Sequence, residues 1–155
     1  MTASAKPIPE GFHTVTPSLV LRDAAKAIEF YKKALGATEV YRLTAPGGKI
    51  AHAEIRIGRA VIMLADEYPE MGHHSPKSLG GTPVKIHLYV EDADAVVSQA
   101  YDAGAKILRP VNDEFYGDRN GSFEDPFGHV WFIATRKENL SPEEIVKRSA
   151  KLFGQ

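Results

Sequence analysis

The stretch Glu114–Thr135, EFYGDRNGSFEDPFGHVWFIAT, decides the architecture. It begins with an aromatic-flanked turn, Phe115-Tyr116-Gly117-Asp118-Arg119, and continues as a short mixed strand ending at Glu124. Asp125-Pro126-Phe127-Gly128 is a turn, because proline fixes φ at the second position and glycine accepts positive φ. The apolar run Val130 to Ala134 follows, so the pattern predicts strand, turn, strand. A hairpin alone cannot bury its apolar side. The rest of the chain must supply the sheet that this hairpin completes.

Working outward, the same order of signals occurs twice. Thr14 to Leu21 alternates, with Val15, Pro17, Leu19 and Leu21 on one side and Thr14, Thr16, Ser18 and Val20 on the other. Asp23 is placed as a helix N-cap, Ala24, Ala27, Ile28, Tyr31 and Leu35 recur at helical spacing, and Gly36 closes the helix. Strands are predicted over Thr38 to Leu43, Ile50 to Ile57 and Ala60 to Ala65, with turns at Pro46-Gly47-Gly48 and Gly58. A polar connection rich in Gly, Pro, His and Ser runs to Thr82. Then Val84 to Val90 alternates, Asp92 caps a helix bearing Val96, Val97 and Ala100, Gly104 ends it, and Lys106 to Val111 is a strand. Arg22-Asp23 corresponds to Glu91-Asp92, Gly36-Ala37 to Gly104-Ala105, and Gly58 to Gly128. The chain reads as a βαβββ unit used twice, an α+β fold of two tandem modules. Ser141-Pro142-Glu143-Glu144 is a capping box opening one more helix, outside the repeat, which covers a sheet edge or a partner subunit.

The expected organisation is a loosely held lead-in at 1–11, a double-module domain at 12–137 and a C-terminal helical segment at 138–155. Within the domain, module one is 12–66, the connecting loop 67–82 and module two 83–137. With 43% hydrophobic and 25% charged residues among 155, the composition is that of a globular protein with a real core. A net charge of −1 with acids and bases interspersed gives no reason to expect a nucleic-acid or membrane partner. The absence of cysteine excludes disulfides, thiolate metal sites and a cysteine nucleophile, and fits a cytoplasmic location. No apolar run reaches the length of a membrane span.

The paired modules, the Asp-capped helix AAKAIEFYKKALG and the closing hairpin DPFGHVWFIAT resemble the vicinal oxygen chelate superfamily. That group holds glyoxalase I, extradiol dioxygenases, fosfomycin-resistance enzymes and bleomycin-resistance proteins. HAEIRIG (52–58), VIMLADE (61–67) and FYGDRNG (115–121) resemble its PhnB-like glyoxalase/bleomycin-resistance branch. The resemblance implies two modules whose sheets curl into an open barrel, a small molecule bound inside the curl, and a homodimer. Metal-using members take four His or Glu ligands from the first and last strands of each module. Those positions carry across to Thr16, Met63, Lys85 and Phe132, and none is a usual ligand. The resemblance therefore implies binding without the usual four metal ligands and without a cofactor.

Period-2 alternation assigns Thr14, Thr16, His52, Glu54, Arg56, Val61, Met63, Lys85, His87, Ser122, Glu124, Val130 and Phe132 to the faces not covered by helices. The repeat makes Glu54 and Glu124 equivalent. Candidate ligand-binding residues are His52, Glu54, Met63, Lys85, His87, Arg119, Glu124 and Phe132, with no catalytic residue assigned. His52, Glu54, His87 and Glu124 could instead hold a displaced divalent metal, or His52-Glu54 or His87-Glu124 could transfer a proton. Against both stands the simpler reading, in which the carboxylates pair with Lys85, Arg56 or Arg119 and the histidines donate hydrogen bonds. Arg119 either fixes its turn with Asp118 or contacts an anion at the barrel mouth. Tyr41 and Tyr116 stack a flat ligand or simply pack, His73-His74 is a solvated pair, and Trp131 and Ile133 are core under a helix. Three functions compete: a small-molecule binding protein, a lyase or isomerase on a small oxygenated substrate, and a structural dimer.

Overall fold

The computed structural model describes residues 4–154, so residues 1–3 of the lead-in and Gln155 of the C-terminal segment lie outside the described residues. The chain divides into two compact units, Met1–Gly81 and Thr82–Gln155. Each is a four-stranded mixed sheet with a helix on one face, and a further helix follows the second. The expected α+β fold of two βαβββ modules is what the chain adopts.

In the first unit β1 (Ser18–Leu21) leads into α1 (Ala24–Leu35), then β2 (Thr38–Thr44), β3 (Ile50–Ile57) and β4 (Ala60–Asp66). The sheet order is β1-β4-β3-β2, with β1 parallel to β4 and the other pairs antiparallel. Asp23 accepts the Lys26 amide at 3.2 Å and starts α1 as expected. The helix buries Ala24, Ala27, Ile28, Phe30, Tyr31 and Ala34. Leu19, Leu21, Ala53, Ile55 and Leu64 form the covered face of the sheet and are almost fully buried. Asp66 fastens helix to sheet: its carboxylate accepts the Ala24 amide at 2.8 Å and the Ile50 amide at 2.7 Å.

Strand β1 starts at Ser18 rather than Thr14. Pro17 has no N–H to donate, and only its carbonyl reaches the sheet, accepting the Met63 amide at 2.9 Å. The connection expected over 67–82 contains structure of its own. A 3₁₀ turn spans Pro69–Met71, and the short α2 (Pro76–Leu79) is capped by Ser75. Glu67 organises it, accepting the Ser75 amide at 2.9 Å, the Ser78 hydroxyl at 2.6 Å and Arg22 Nε at 3.2 Å. Hydrogen bonds from Ser75 and Ser78, with Arg22 beside them, hold the Glu67 carboxyl down at about 2, against an ordinary value of 4.5. A carboxyl with a lowered folded value contributes stability in full above its unfolded value. That contribution is lost as pH falls from 4.5 towards 2. Glu67→Gln is expected to flatten the acid limb of a thermal-stability profile across that window; an unchanged limb would mean that Glu67 does not couple folding to protons.

The second unit repeats the path with β5 (Lys85–Tyr89), α3 (Ala93–Asp102), β6 (Lys106–Asp113), β7 (Asp118–Glu124) and β8 (Val130–Arg136), in the order β5-β8-β7-β6. Asp92 accepts the Ala95 amide at 3.0 Å, and α3 buries Ala93, Val97 and Ala100. Trp131, Ile133 and Phe123 lie on the covered face and are fully buried, as expected of core. Thr135 stands at the repeat position of Asp66 and takes over its task, its hydroxyl accepting the Ala93 amide at 2.9 Å.

One side chain reinforces the backbone bonds that close the opening hairpin. Asp125 Oδ1 accepts the amides of Phe127 at 2.9 Å and His129 at 3.0 Å, while Oδ2 accepts the Trp131 indole N–H at 2.9 Å. After β8 the chain returns past Gly117, whose carbonyl accepts the amides of Lys137 and Glu138. Then α4 (Pro142–Leu152) begins at a Ser141 cap. Arg148 ties this helix to Glu138 at 3.0 Å and to the Phe115 carbonyl at 3.2 Å.

The two hairpins differ by one residue, and this corrects the sequence alignment of the halves. Arg56 and Val61 pair across four intervening residues, Glu124 and Val130 across five. Gly58 is the first residue of a two-residue turn with φ 56°, whereas Gly128 is the last of a three-residue turn with φ 94°. They are not equivalent. Met63 pairs with Glu54, and Phe132, at the position of Met63, pairs with Ser122. Glu54 therefore matches Ser122, and Glu124 matches Arg56.

Candidate functional site

Cross-strand pairing sets the open face of the first unit. Ser18, Met63, Glu54 and Tyr41 form one row, Val61 and Arg56 the next towards the turn, and His52 and Leu43 the next away from it. Glu54 is only 9% exposed although no helix covers this face. Its Oε2 accepts the Tyr41 hydroxyl at 3.2 Å and lies 3.0 Å from His52 Nε2. Desolvation first, and then the Glu54 carboxylate, push the Tyr41 phenol up, so Tyr41 is held as the donor. Among the described residues no hydrogen bond reaches Oε1. Lys85, Arg56 and Arg119 are not the partners of Glu54. A tyrosine stands where the simpler reading expects a cation, while the His52 contact agrees with its hydrogen-bonding histidines.

The lead-in, expected to be loose, crosses this face. Pro7, Ile8, Pro9 and Phe12 line a cleft of about 450 Å³ with Thr16, Glu54 and Met63. Phe12 N donates to the Pro9 carbonyl at 3.1 Å, turning the segment, and Gly11 lies close against the Arg56 guanidinium. A second recess of about 440 Å³ on the same unit is lined by Ser18, Val20, His52, Tyr68 and His73. Glu54 lines one hollow and His52 the other, so their contact lies where the two adjoin. His73 is thus part of a recess, while remaining exposed as expected.

The second unit is built differently. Lys85 Nζ lies 5.2 Å above the Phe132 ring, and His87 stacks on Phe132 at 6.1 Å and 12° and approaches Tyr89 at 4.9 Å. His87 pairs through Phe132 with Ser122, one row away from Glu124. The expected His87-Glu124 partnership is therefore absent, and Glu124 makes no ion pair among the described residues. Asp118 and Arg119 do not pair with each other either, because successive strand residues point to opposite faces. Asp118 accepts the Tyr89 hydroxyl at 2.9 Å and lies 3.4 Å from Arg136 Nε. Arg119 grips Asp94 of α3 with two bonds of 2.7 and 2.9 Å and reaches Asp113 at 3.2 Å. Asp94, and after it Asp113, raise the guanidinium well above its ordinary value. Arg119 braces α3 from the covered side, and its anion role has no free fork to serve it. Tyr116 accepts Asn120 Nδ2 at 2.6 Å, which makes it packing.

The donor set does not fit the metal that the fold family uses. Met63 offers a thioether and Thr16 a hydroxyl in one unit; in the other, the Lys85 ammonium sits over Phe132. The displaced alternative draws His52 and Glu54 from the first unit and His87 and Glu124 from the second. Among the described residues no three His, Asp or Glu side chains gather as a metal-holding group. No helix among them is long and apolar enough to cross a membrane.

Of the candidate residues, His52, Glu54 and Met63 come together in the first unit; within the second, Lys85, His87 and Phe132 cluster, and Arg119 and Glu124 lie outside that cluster. The lead-in walls were missed, although Pro7, Pro9 and Phe12 form a stiff apolar segment whose composition carried the signal.

A family model described as Glyoxalase/Bleomycin resistance protein/Dioxygenase superfamily matches residues 11–133. A Mycobacterium tuberculosis protein, the uncharacterised Rv0887c, is 46% identical over 134 residues, covering 84% of this chain and 79% of its own. The structure of the Arabidopsis thaliana At5g48480 product superposes with a TM-score of 0.62 at 26% identity, over 79% of this chain and 98% of that one. A PhnB protein from Bacillus cereus, described as a putative 3-demethylubiquinone-9 3-methyltransferase, shares the fold, with a TM-score of 0.61 at 16% identity over 79% and 99%.

Proposed function

The chain belongs to the Glyoxalase/Bleomycin resistance protein/Dioxygenase superfamily, and from that premise we propose that it binds a small organic molecule on the open face of its first unit, without the four usual metal ligands. The observation that supports this reading is the cleft of about 450 Å³ with walls of Ile8, Phe12 and Met63 and with His13, Thr14, Thr16 and Glu54 as its polar groups. Small-ligand sites fall in the range of about 300–1,000 Å³ and combine apolar walls with a few placed polar groups. A homodimer in the cytoplasm belongs to the same reading.

A thermal-shift screen of small aromatic and aliphatic compounds tests it. A ligand at about a hundred times its Kd raises stability by about 2.7 kcal/mol. The shift is expected to survive chelator and to disappear in Thr16→Trp, which fills the cleft from outside the paired strands. A shift that persists in that variant would move the site elsewhere.

One observation favours a second reading, a lyase or isomerase on a small oxygenated substrate. The 3.0 Å contact of His52 with Glu54 orients an imidazole at the junction of two hollows, an arrangement suited to accepting a proton. Solvent deuterium entering a carbonyl-bearing ligand, and failing to enter with His52→Gln, would support it; binding with no exchange supports simple sequestration.

A further inference from the structure

We infer that the cleft of the first unit selects an organic cation, a protonated amine on an apolar body, and that Glu54 is its anchor. This rests on the binding reading above and names the ligand class. A carboxylate about nine-tenths buried is ordinarily matched by a cation or by several donors. Glu54 is 9% exposed, and its two hydrogen bonds both go to Oε2, from Tyr41 at 3.2 Å and His52 at 3.0 Å. Oε1 receives none among the described residues and is not one of the fully enclosed unpartnered atoms, so it keeps accessible surface.

Among the described residues of this unit, no ion pair brings a lysine or arginine to Glu54. Arg22 pairs with Glu67, Lys26 with Asp23, Lys32 with Glu29 and Arg42 with Glu39. Arg56 shares the face, but its guanidinium lies against Gly11 rather than in an ion pair with Glu54. The cleft floor thus has one negative charge with one oxygen to offer, inside walls of Ile8, Phe12 and Met63. A charge-assisted hydrogen bond from an ammonium group answers that chemistry, and an anion is repelled.

Three matched probes test the inference on the full chain by NMR at about pH 8, well above the ordinary histidine range of about 6.5. They are phenethylamine, 2-phenylethanol and phenylacetate, which differ only in the terminal group. The amides of Thr16, Glu54 and Met63 are expected to respond to phenethylamine at about tenfold lower concentration than to the alcohol, with phenylacetate weakest. Glu54→Gln is expected to bring amine and alcohol within about twofold of each other. Equal binding of amine and alcohol at these amides would overturn the charge inference and leave the cleft reading standing. No response from any probe there overturns both. An amine preference undiminished in Glu54→Gln overturns the anchor. The comparison in the unmodified chain decides the matter even if the variant folds poorly.

Discussion

Asp125→Ala is expected to destabilise the second unit by about 3 kcal/mol, because it withdraws three acceptor contacts at once, one buried and two part-buried. Asp125 is 2% exposed. One oxygen holds the two amides that close the turn, and the other holds the indole of Trp131 in the core. Local turn geometry and long-range packing therefore depend on one carboxylate. Trp131 is the only tryptophan in the sequence, so its fluorescence during urea unfolding reports this unit directly. Asp125→Asn keeps the shape and one acceptor oxygen, and should lose less. With Trp131→Phe as background, followed by circular dichroism, the cost of Asp125→Ala should shrink, since the indole is no longer there to be served. A loss below about 1 kcal/mol, the size of one ordinary hydrogen bond, would show that the turn forms without the carboxylate.

Gly117→Ala carries the second large effect, about 2–4 kcal/mol. Its φ is 96°, a conformation that L side chains rarely adopt, and an added Cβ would come within 2.9 Å of the Glu138 carbonyl oxygen and 3.2 Å of Leu140. The same Glu138 amide donates to the Gly117 carbonyl at 3.0 Å, so the methyl group would push apart the segment that leads to α4. Gly47→Ala is the control. Its φ is 95° with nothing within 4 Å of the added carbon, so it carries backbone strain without the contact. Thermal denaturation of the pair should separate the two terms. Hydrogen exchange in α4 should rise in Gly117→Ala alone; equal effects at the two glycines would assign the whole cost to φ.

The repeated βαβββ path was legible because its signals are local. Asp23 and Asp92 cap their helices, period-2 runs give the strands, and the Trp131 face was read correctly as core. What escaped was fixed by partners distant in sequence. Sequence proximity points Arg119 to its neighbour Asp118, but its carboxylate is Asp94, 25 residues away on a helix. The composition of the lead-in marks a stiff apolar segment but not which sheet face it crosses, because that face is set by strands distant in sequence. His52 and Glu54 were rightly placed together by alternation, while Tyr41 as the third member depended on the irregular register of β2 against β3.

The one-residue difference between the hairpin turns has a meaning for the history of the chain. A duplicated segment starts with two copies of every surface, and any ligand preference would be written twice. One extra residue in the second turn shifts what lies before it against what lies after it, so that a carboxylate in one copy faces a hydroxyl, Ser122, in the other. A chain rebuilt from two first modules would restore the lost twin and present two acidic floors. The natural chain keeps Glu54 in the first copy, and at the matching place the second carries Ser122 beside the aromatic cluster of His87, Tyr89 and Phe132.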